Sequence, residues 1–290
     1  MRVFVVGGTR FIGLHAVQLL VEAGHHVTVY HRGEHEAHLP SSVEHSHSAE
    51  AGMPVLEFPP DLDADVVLHM TPMGEADAQA AVRACRGKVG RIVAISSGDV
   101  YRAYGKFLGI EPGPVDAETL VESSPLRSVL YPYRSKASSP EDSQFNYEKT
   151  LAEGVLLAAA TLPATVLRLP KVYGPRSNQD LASVYGARAH PEWRWTHGYV
   201  ENVAWAIALA VMNEVSAGKI YNVGEEYTPT VAERLHTLPE RDLPLFPEGN
   251  KNFSQNIVYD TTLIRTDLGF KEIVGYEEGL QRTFTRDDNH

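Results

Sequence analysis

A doubly wound α/β fold with a parallel sheet is what this sequence predicts, and three observations predict it. An apolar, β-branched run at Arg2–Val6 leads straight into a glycine-rich turn and then into an amphipathic helix. Strand-like and helix-like patterns alternate from there to Tyr101, as they do in parallel sheets covered by helices. Hydroxyl-rich residues follow a central strand, at the edge where open α/β sheets bind ligands.

The first unit reads MRVFVVGGTRFIGLHAVQLLVEAGHHVTVYHRG. Arg2–Val6 is a buried strand, and Ile12, Ala16, Leu19, Leu20 and Ala23 recur at the spacing of one helix face. Gly24 stops that helix, and Val27–Tyr30 is a second strand. Between strand and helix lie Gly7, Gly8, Thr9, Arg10, Phe11, Ile12 and Gly13. Glycines let the backbone approach a pyrophosphate, and the N–H groups of the helix N-terminus favour its charge. The flanking strand and helix are the context that gives such a motif meaning; without a ligand it would be a tight βα turn.

The end of the second strand bears on which dinucleotide is preferred. An NAD site usually places a carboxylate there, against the ribose hydroxyls. This chain has His31 and Arg32, and a guanidinium pairs with a 2′-phosphate. Arg10 can reach the same place. NADP is therefore favoured over NAD, with a solvated loop as the alternative reading of Arg32.

The next stretch, HRGEHEAHLPSSVEHSHSAE, is rich in histidine. His35 with His38 and His45 with His47 have metal-ligand spacings, but imidazoles alone on a loop pre-organise poorly. The expectation is a polar surface segment with no metal. Ala64–Met70 is a buried strand ending at Thr71-Pro72, a helix covers about Asp77–Cys85, and Arg91–Ile95 is a strand running into Ser96-Ser97-Gly98-Asp99-Val100-Tyr101. Tyr101–Gln144 is irregular. Tyr147–Ala160 is a strong helix, Ala164–Leu169 a strand, Glu201–Met212 a helix and Lys219–Val223 a strand. Short helices are expected at Asp260–Leu268 and Tyr276–Phe284.

Composition narrows the function classes. The chain has 290 residues, 43% hydrophobic and 22% charged, ordinary for a soluble globular protein. Its net charge of -11 argues against a nucleic-acid partner. No apolar run is long enough to span a membrane, and no signal-peptide pattern is expected at the N-terminus. The single Cys85 excludes an internal disulfide framework and fits a cytoplasmic location.

Several segments, in order, resemble the extended branch of the short-chain dehydrogenase/reductases, the NAD(P)-dependent epimerase/dehydratase group. They are GGTRFIG, DVVLHM, AISSGDVY, LRLPKVYGP, RWTHGYVENVAWAI and DTTLIRTDLGF. The GGTRFIG form is similar to the subgroup with chloroplast stem-loop-binding proteins and bacterial sugar-epimerase-like proteins. The resemblance implies a Rossmann-type domain from 1–175 and 198–226. It also implies a small, discontinuous substrate region from 176–197 and 227–290. It places His69, Ser96, Pro170 and Val172, with the glycine turn, beside the cofactor. Ser97, Tyr173, Arg194 and His197 would face substrate, with packing of an aromatic-rich strand as the alternative for Arg194, Trp195 and His197. The segment 176–192 is short for a nucleotide-sugar clamp, which leaves a smaller sugar or polyol open.

The resemblance departs from the family in two places. Arg10 stands where the family has its middle glycine, as in NADP-preferring turns of single-domain short-chain reductases. The family also carries a Tyr four residues before an active-site Lys, which aligns with Lys149; Glu153 matches the family's downstream Glu. Here the Tyr position is Phe145. The family's Lys holds the nicotinamide ribose and lowers the Tyr pKa, while a hydroxyl matching Ser97 orients the reacting oxygen. On a regular helix Tyr147 would point away from Lys149, so it serves only if residues 145–148 are not helical. Tyr101, Tyr131 and Tyr133 are further candidates from the long loop. Asp99 stands where dehydratase members place an acid, or it caps the loop.

The reading that follows is an NAD(P)-dependent epimerase, dehydratase or reductase acting on a sugar or nucleotide-sugar hydroxyl or carbonyl. Ser97, Lys149, Tyr147 and Asp99 are its catalytic candidates. Loss of turnover, leaving a dinucleotide-binding sensor or interaction protein, is the alternative that Phe145 supports. RNA binding, suggested by the plant relatives, conflicts with the acidic charge. Ala152, Ala159 and Ala160 give the helix a small apolar face, which suits either a homodimer or the core.

Overall fold

The computed structural model describes residues 1–33, 38–48, 55–175, 181–247 and 249–285. The elements begin with β1 (Arg2–Val6), α1 (Ile12–Glu22), β2 (His26–His31), β3 (Glu44–His47), β4 (Ala64–His69), α2 (Glu75–Cys85) and β5 (Val89–Ser97). The middle of the chain holds α3 (Arg102–Phe107), α4 (Lys149–Leu157), β6 (Ala164–Leu169) and β7 (Lys171–Tyr173). The rest gives α5 (Ala182–Gly186), β8 (His197–Tyr199), α6 (Val200–Met212), β9 (Ile220–Asn222), α7 (Val231–Thr237), α8 (Thr262–Leu268) and α9 (Tyr276–Thr285). Seven strands form a parallel sheet in the order β3-β2-β1-β4-β5-β6-β9, and β7 pairs with β8 in a separate parallel ribbon. The expected doubly wound Rossmann-type α/β fold is present. The order reverses beside β1, so the switch point lies over the glycine turn, where such sheets open a ligand crevice.

Two apolar layers cover the sheet. Val3, Val5, Val17, Leu20, Val203, Ile207 and Tyr221 bind α1 and α6 to one face. Phe4, Val6, Val67, Ala81, Ile92, Ala152 and Leu156 bind α2 and α4 to the other. Ala152 is thus core, and that part of the expected dimer face is not available at the surface. A third, aromatic core holds Tyr101, Phe107, Tyr173, Trp193, Tyr199, Ile257 and Leu280. The expected division assigned residues up to 175 to the sheet unit. Val100 to Leu120 pack instead with this third core, because the apolar side of α3 meets Trp193 and Trp195. Among the described residues no helix is long and apolar enough to cross a membrane.

Three departures from the sequence reading have physical causes. The histidine-rich stretch contains β3: its backbone pairs with β2, Thr28 Oγ1 donates to Glu44 Oε2, and edge pairing overrides a weak hydrophobic pattern. The long irregular stretch contains α3, tied by Arg102 and Lys106 to Asp116. Most consequential, α4 begins at Lys149 rather than Tyr147. Glu148 is its N-cap, with its carboxylate accepting from Thr150 N at 3.0 Å, so residues 145–148 are outside the helix.

Candidate active site

The glycine turn is fixed by close backbone packing. Gly7 and Gly8 lie at φ of 86° and 90°, in the region that favours glycine. A Cβ on Gly13 would come within 2.4 Å of the Gly8 Cα, so helix α1 starts hard against the turn. Thr9, Arg10, Phe11 and Ile12 line one end of a cleft of about 1120 Å³. Arg32 follows β2 but does not line this cleft, and His35 lies outside the described residues. His45 and His47 stand on β3 beside His31, with ring centroids 5.1 and 4.7 Å from it.

From the turn the cleft crosses the carboxyl ends of β4, β5 and β6. Ser96, Ser97, Asp99, Tyr147, Lys149, Pro170 and Val172 all line it. The Ser96 hydroxyl is committed to Glu153 Oε1 at 2.5 Å, and Glu153 in turn is gripped by Arg168 at 2.7 Å. That buried pair locks α4 onto β6. Ser97 Oγ accepts from Asp99 N at 3.4 Å and caps the short turn after β5.

Lys149 is buried, and its ammonium donates to the Pro72 carbonyl at 2.8 Å and the Ile95 carbonyl at 3.1 Å. Burial holds its pKa down at about 8, opposed by the negative field of Asp99, Asp77 and Glu153. Tyr147 presents its ring to this lysine, with Nζ 5.8 Å from the ring centroid, and its phenol interacts with Asp99 and Ser97. Burial first, then the Asp99 charge, push the phenol well above its ordinary pKa. Phe145 is elsewhere: it does not line the cleft, and its ring lies under the Arg134 guanidinium at 4.8 Å. The expectation that Tyr147 points away from Lys149 is overturned, because no helix joins the two.

Asp99 is the hub of this end. It is 4% exposed, and burial raises its carboxyl pKa. Oδ2 lies 3.0 Å from the Tyr133 hydroxyl, which lies 3.2 Å from the Tyr104 hydroxyl. Oδ1 is buried without a partner. Arg127 holds the frame: its Nε donates to the Asp99 carbonyl at 3.0 Å, and its other nitrogens grip Glu148 at 2.9 and 3.1 Å. One fully buried ion pair therefore sets Tyr147, next to Glu148, against Asp99. Gly98 completes the packing. A Cβ there would fall 1.2 Å from the Tyr259 hydroxyl, so only glycine admits Tyr259 to the cleft wall.

Besides Arg32 and the three turn glycines, four more of the expected site residues do not line the cleft. His69 is fully buried and turned toward Phe58, its Nδ1 accepting from Thr71 N, and burial drives its pKa down to about 3. Tyr173 is 1% exposed and packs between Tyr199 and His197. His197 sits behind the wall: its Nδ1 is 2.6 Å from the Trp195 carbonyl and its Nε2 3.3 Å from Ser183 Oγ. Arg194 turns outward to Tyr227, at 6.0 Å. Their neighbours on the same segments do line the cleft, namely Met70 and Thr71, Lys171 and Val172, and Trp195. Of the three loop tyrosines expected as candidates, only Tyr133 reaches in. Tyr101 donates to Asn222 and Tyr131 stacks on Arg134. The sequence reading missed Tyr104, Lys171 and Tyr259. The three come from α3, the start of β7 and a C-terminal loop, and no local pattern announces that these converge.

The fold and its cleft define a Rossmann-type α/β protein with a crevice over the carboxyl edge of the sheet. No family profile matches the chain. The curated 2′-dehydrokanamycin reductase of Streptomyces kanamyceticus is 26% identical over 266 residues, covering 84% of this chain and 64% of that protein. The chain thus spans less than two thirds of that relative. Pal from Bacillus thuringiensis superposes with a TM-score of 0.70 at 15% identity, over 98% of this chain and 97% of that one. A UDP-glucuronic acid 4-epimerase from Bacillus cereus, solved with UDP-glucuronic acid and NAD, gives 0.67 at 17% identity and 98% of each chain. The chain shares the Rossmann-type α/β fold of these solved structures.

Proposed function

We propose that this chain is an NAD(P)(H)-dependent enzyme that reduces or epimerises a sugar-like substrate at a hydroxyl or carbonyl carbon. The observation that carries the reading is the convergence of Ser97, Asp99, Tyr147 and Lys149 in the cleft that also holds the glycine turn. The cleft fits a dinucleotide. Gly13 packs its backbone directly on Gly8, which sets the start of α1 at the cleft end, and about 1120 Å³ exceeds the ~300–1,000 Å³ usual for one small ligand. The curated relative is a reductase by name, and the similar structures include epimerases.

When bound, the nicotinamide supplies or accepts a hydride. The Tyr147 phenol, kept neutral by burial, donates its proton to the substrate carbonyl oxygen as that oxygen gains charge. The Ser97 hydroxyl orients the same oxygen. Lys149 stabilises the phenolate left on Tyr147 and holds the nicotinamide ribose. Asp99, whose carboxyl pKa burial raises, is the group beside the phenol that exchanges a proton with Tyr147. Thr9, Arg10, Phe11 and Ile12 bind the pyrophosphate end. Arg10 and Arg32, with no carboxylate ending β2, favour a 2′-phosphate, hence NADP(H). The non-catalytic alternative rested on Phe145, and Tyr147 on the cleft wall removes its main support.

Incubating the protein with NADPH or NADH and a panel of sugars, sugar acids and nucleotide sugars tests the reading. Absorbance change or epimerised product is expected with at least one, and tight cofactor binding with no turnover on any of them would leave the sensor. Calorimetry with the two oxidised dinucleotides tests the preference, which tighter NAD binding would overturn.

A further inference from the structure

Among the described residues, the buried cations around the cleft are partnered, and the half-buried Lys171 is not. Lys106 pairs with Asp116, Arg127 with Glu148, Arg168 with Glu153 and Arg234 with Glu225, while Lys149 donates to two carbonyls. Lys171 lines the cleft at the start of β7 and, among the described residues, has no carboxylate or carbonyl on its ammonium. Its one described side-chain contact is the Trp195 ring, with Nζ 5.0 Å from the centroid. Trp195 is itself on the cleft wall, beside Tyr104 at 5.9 Å.

From this geometry we infer that Lys171 is the specificity-determining residue of the cleft and seats an anionic group of the substrate, a carboxylate or a phosphate monoester. A half-buried ammonium without a counter-ion carries a desolvation cost that an incoming anion relieves. Burial alone, with no acidic neighbour to oppose it, brings the amine down to about 8, so the charge is present at neutral pH but under strain. An oxyanion on Nζ would also keep the cation on the Trp195 face. Among the described residues Asp99 is the one carboxylate on the cleft wall, and it is engaged with the Tyr133 hydroxyl rather than with Lys171. The substrate class of the proposed enzyme narrows to sugar acids and sugar phosphates over neutral sugars. This inference rests on the functional reading only for the word substrate; the anion seat itself is tested separately.

The test is amine labelling. The full-length protein is treated with trinitrobenzenesulfonate near pH 8, and the label on Lys171 is followed by peptide mass mapping. D-glucuronate and D-glucose 6-phosphate are expected to slow the labelling by about fivefold or more, and D-glucose to leave it unchanged. Inorganic phosphate as a further arm tells a general oxyanion seat from one that needs the sugar. Equal protection by D-glucose, no protection by either anionic sugar, or a Lys171 that resists the reagent throughout overturns the inference. NADPH fluorescence in the same samples reports cofactor binding. Anion protection without cofactor binding would sink the functional reading and leave the seat intact. Once a substrate is known, Lys171→Gln is expected to raise KM about tenfold or more with kcat little changed, and Lys171→Arg to restore most of the loss.

Discussion

The two ends of the cleft are built by different means. At the glycine end, the consecutive residues Thr9, Arg10, Phe11 and Ile12 at one helix N-terminus make the wall, and backbone contacts such as Gly8 on Gly13 set its shape. At the tyrosine end, Ser97, Tyr104, Tyr133, Tyr147 and Tyr259 arrive from five separate segments. They are held by a buried ion pair and by the fit of Tyr259 on Gly98. A site of the first kind is local and survives much change elsewhere. The second kind depends on tertiary packing, and each variant below asks how far that dependence goes.

The largest effect is expected from Tyr147→Phe. Losing the proton donor should lower kcat by ~10²–10⁴ while cofactor affinity stays put, because the glycine end is untouched. Retained turnover would show that another hydroxyl, such as Tyr133, does the work.

Arg127→Met comes next. Both partners of the Arg127–Glu148 pair are fully buried, and removing one strands a carboxylate, at a cost of ~3–5 kcal/mol in urea unfolding. Burial alone would raise the Glu148 pKa, but Arg127, the Tyr131 N–H and Thr150 outweigh it and the net shift is downward. The pair's contribution is thus whole above the ordinary glutamate value of 4.5 and fades as pH falls through the lower folded value. The stability gap between wild type and variant should shrink over that acid range; a gap independent of pH would mean that the pair is not what holds the segment.

Gly13→Ala acts at the other end. Its Cβ would meet the Gly8 backbone, and overpacking of this kind costs about 1–3 kcal/mol. The loss should appear as weaker cofactor binding, with the Tyr147 end intact. A thermal melt and a cofactor titration on one sample separate the two.

The contrast also accounts for what could be read from the sequence. β1, the turn and α1 were legible because strand period, glycines and helix stripe lie within one contiguous stretch. So were β4, β5 and β6, as apolar runs of a buried parallel sheet. β3 was not, since its pairing with β2 supplies what its own residues lack. At the site, Ser97, Asp99 and Lys149 could be placed by motif. His69, Tyr173, Arg194 and His197 could not be told from their cleft-facing neighbours, because which side of a short segment meets the cavity is decided by the packing behind it. Lys171 escaped notice because a lone lysine in sequence carries no sign of lacking a counter-ion. The start of α4 was the costliest error. Two residues of helix boundary reversed the conclusion about which aromatic faces Lys149.

That boundary yields the smallest effect and the sharpest test. If Phe145 stood one turn before Lys149, Phe145→Tyr would put a phenol back on the lysine and create or raise activity. Here the ring lies under Arg134, whose Nε donates to the Phe145 carbonyl at 2.9 Å, and the residue does not line the cleft. A hydroxyl added there meets neither Lys149 nor substrate. Phe145→Tyr should therefore leave kcat and KM unchanged and shift stability by less than about 0.5 kcal/mol, as surface changes usually do. A gain of activity in this variant would move the start of α4 back toward residue 145 and take Tyr147 out of the proposed mechanism.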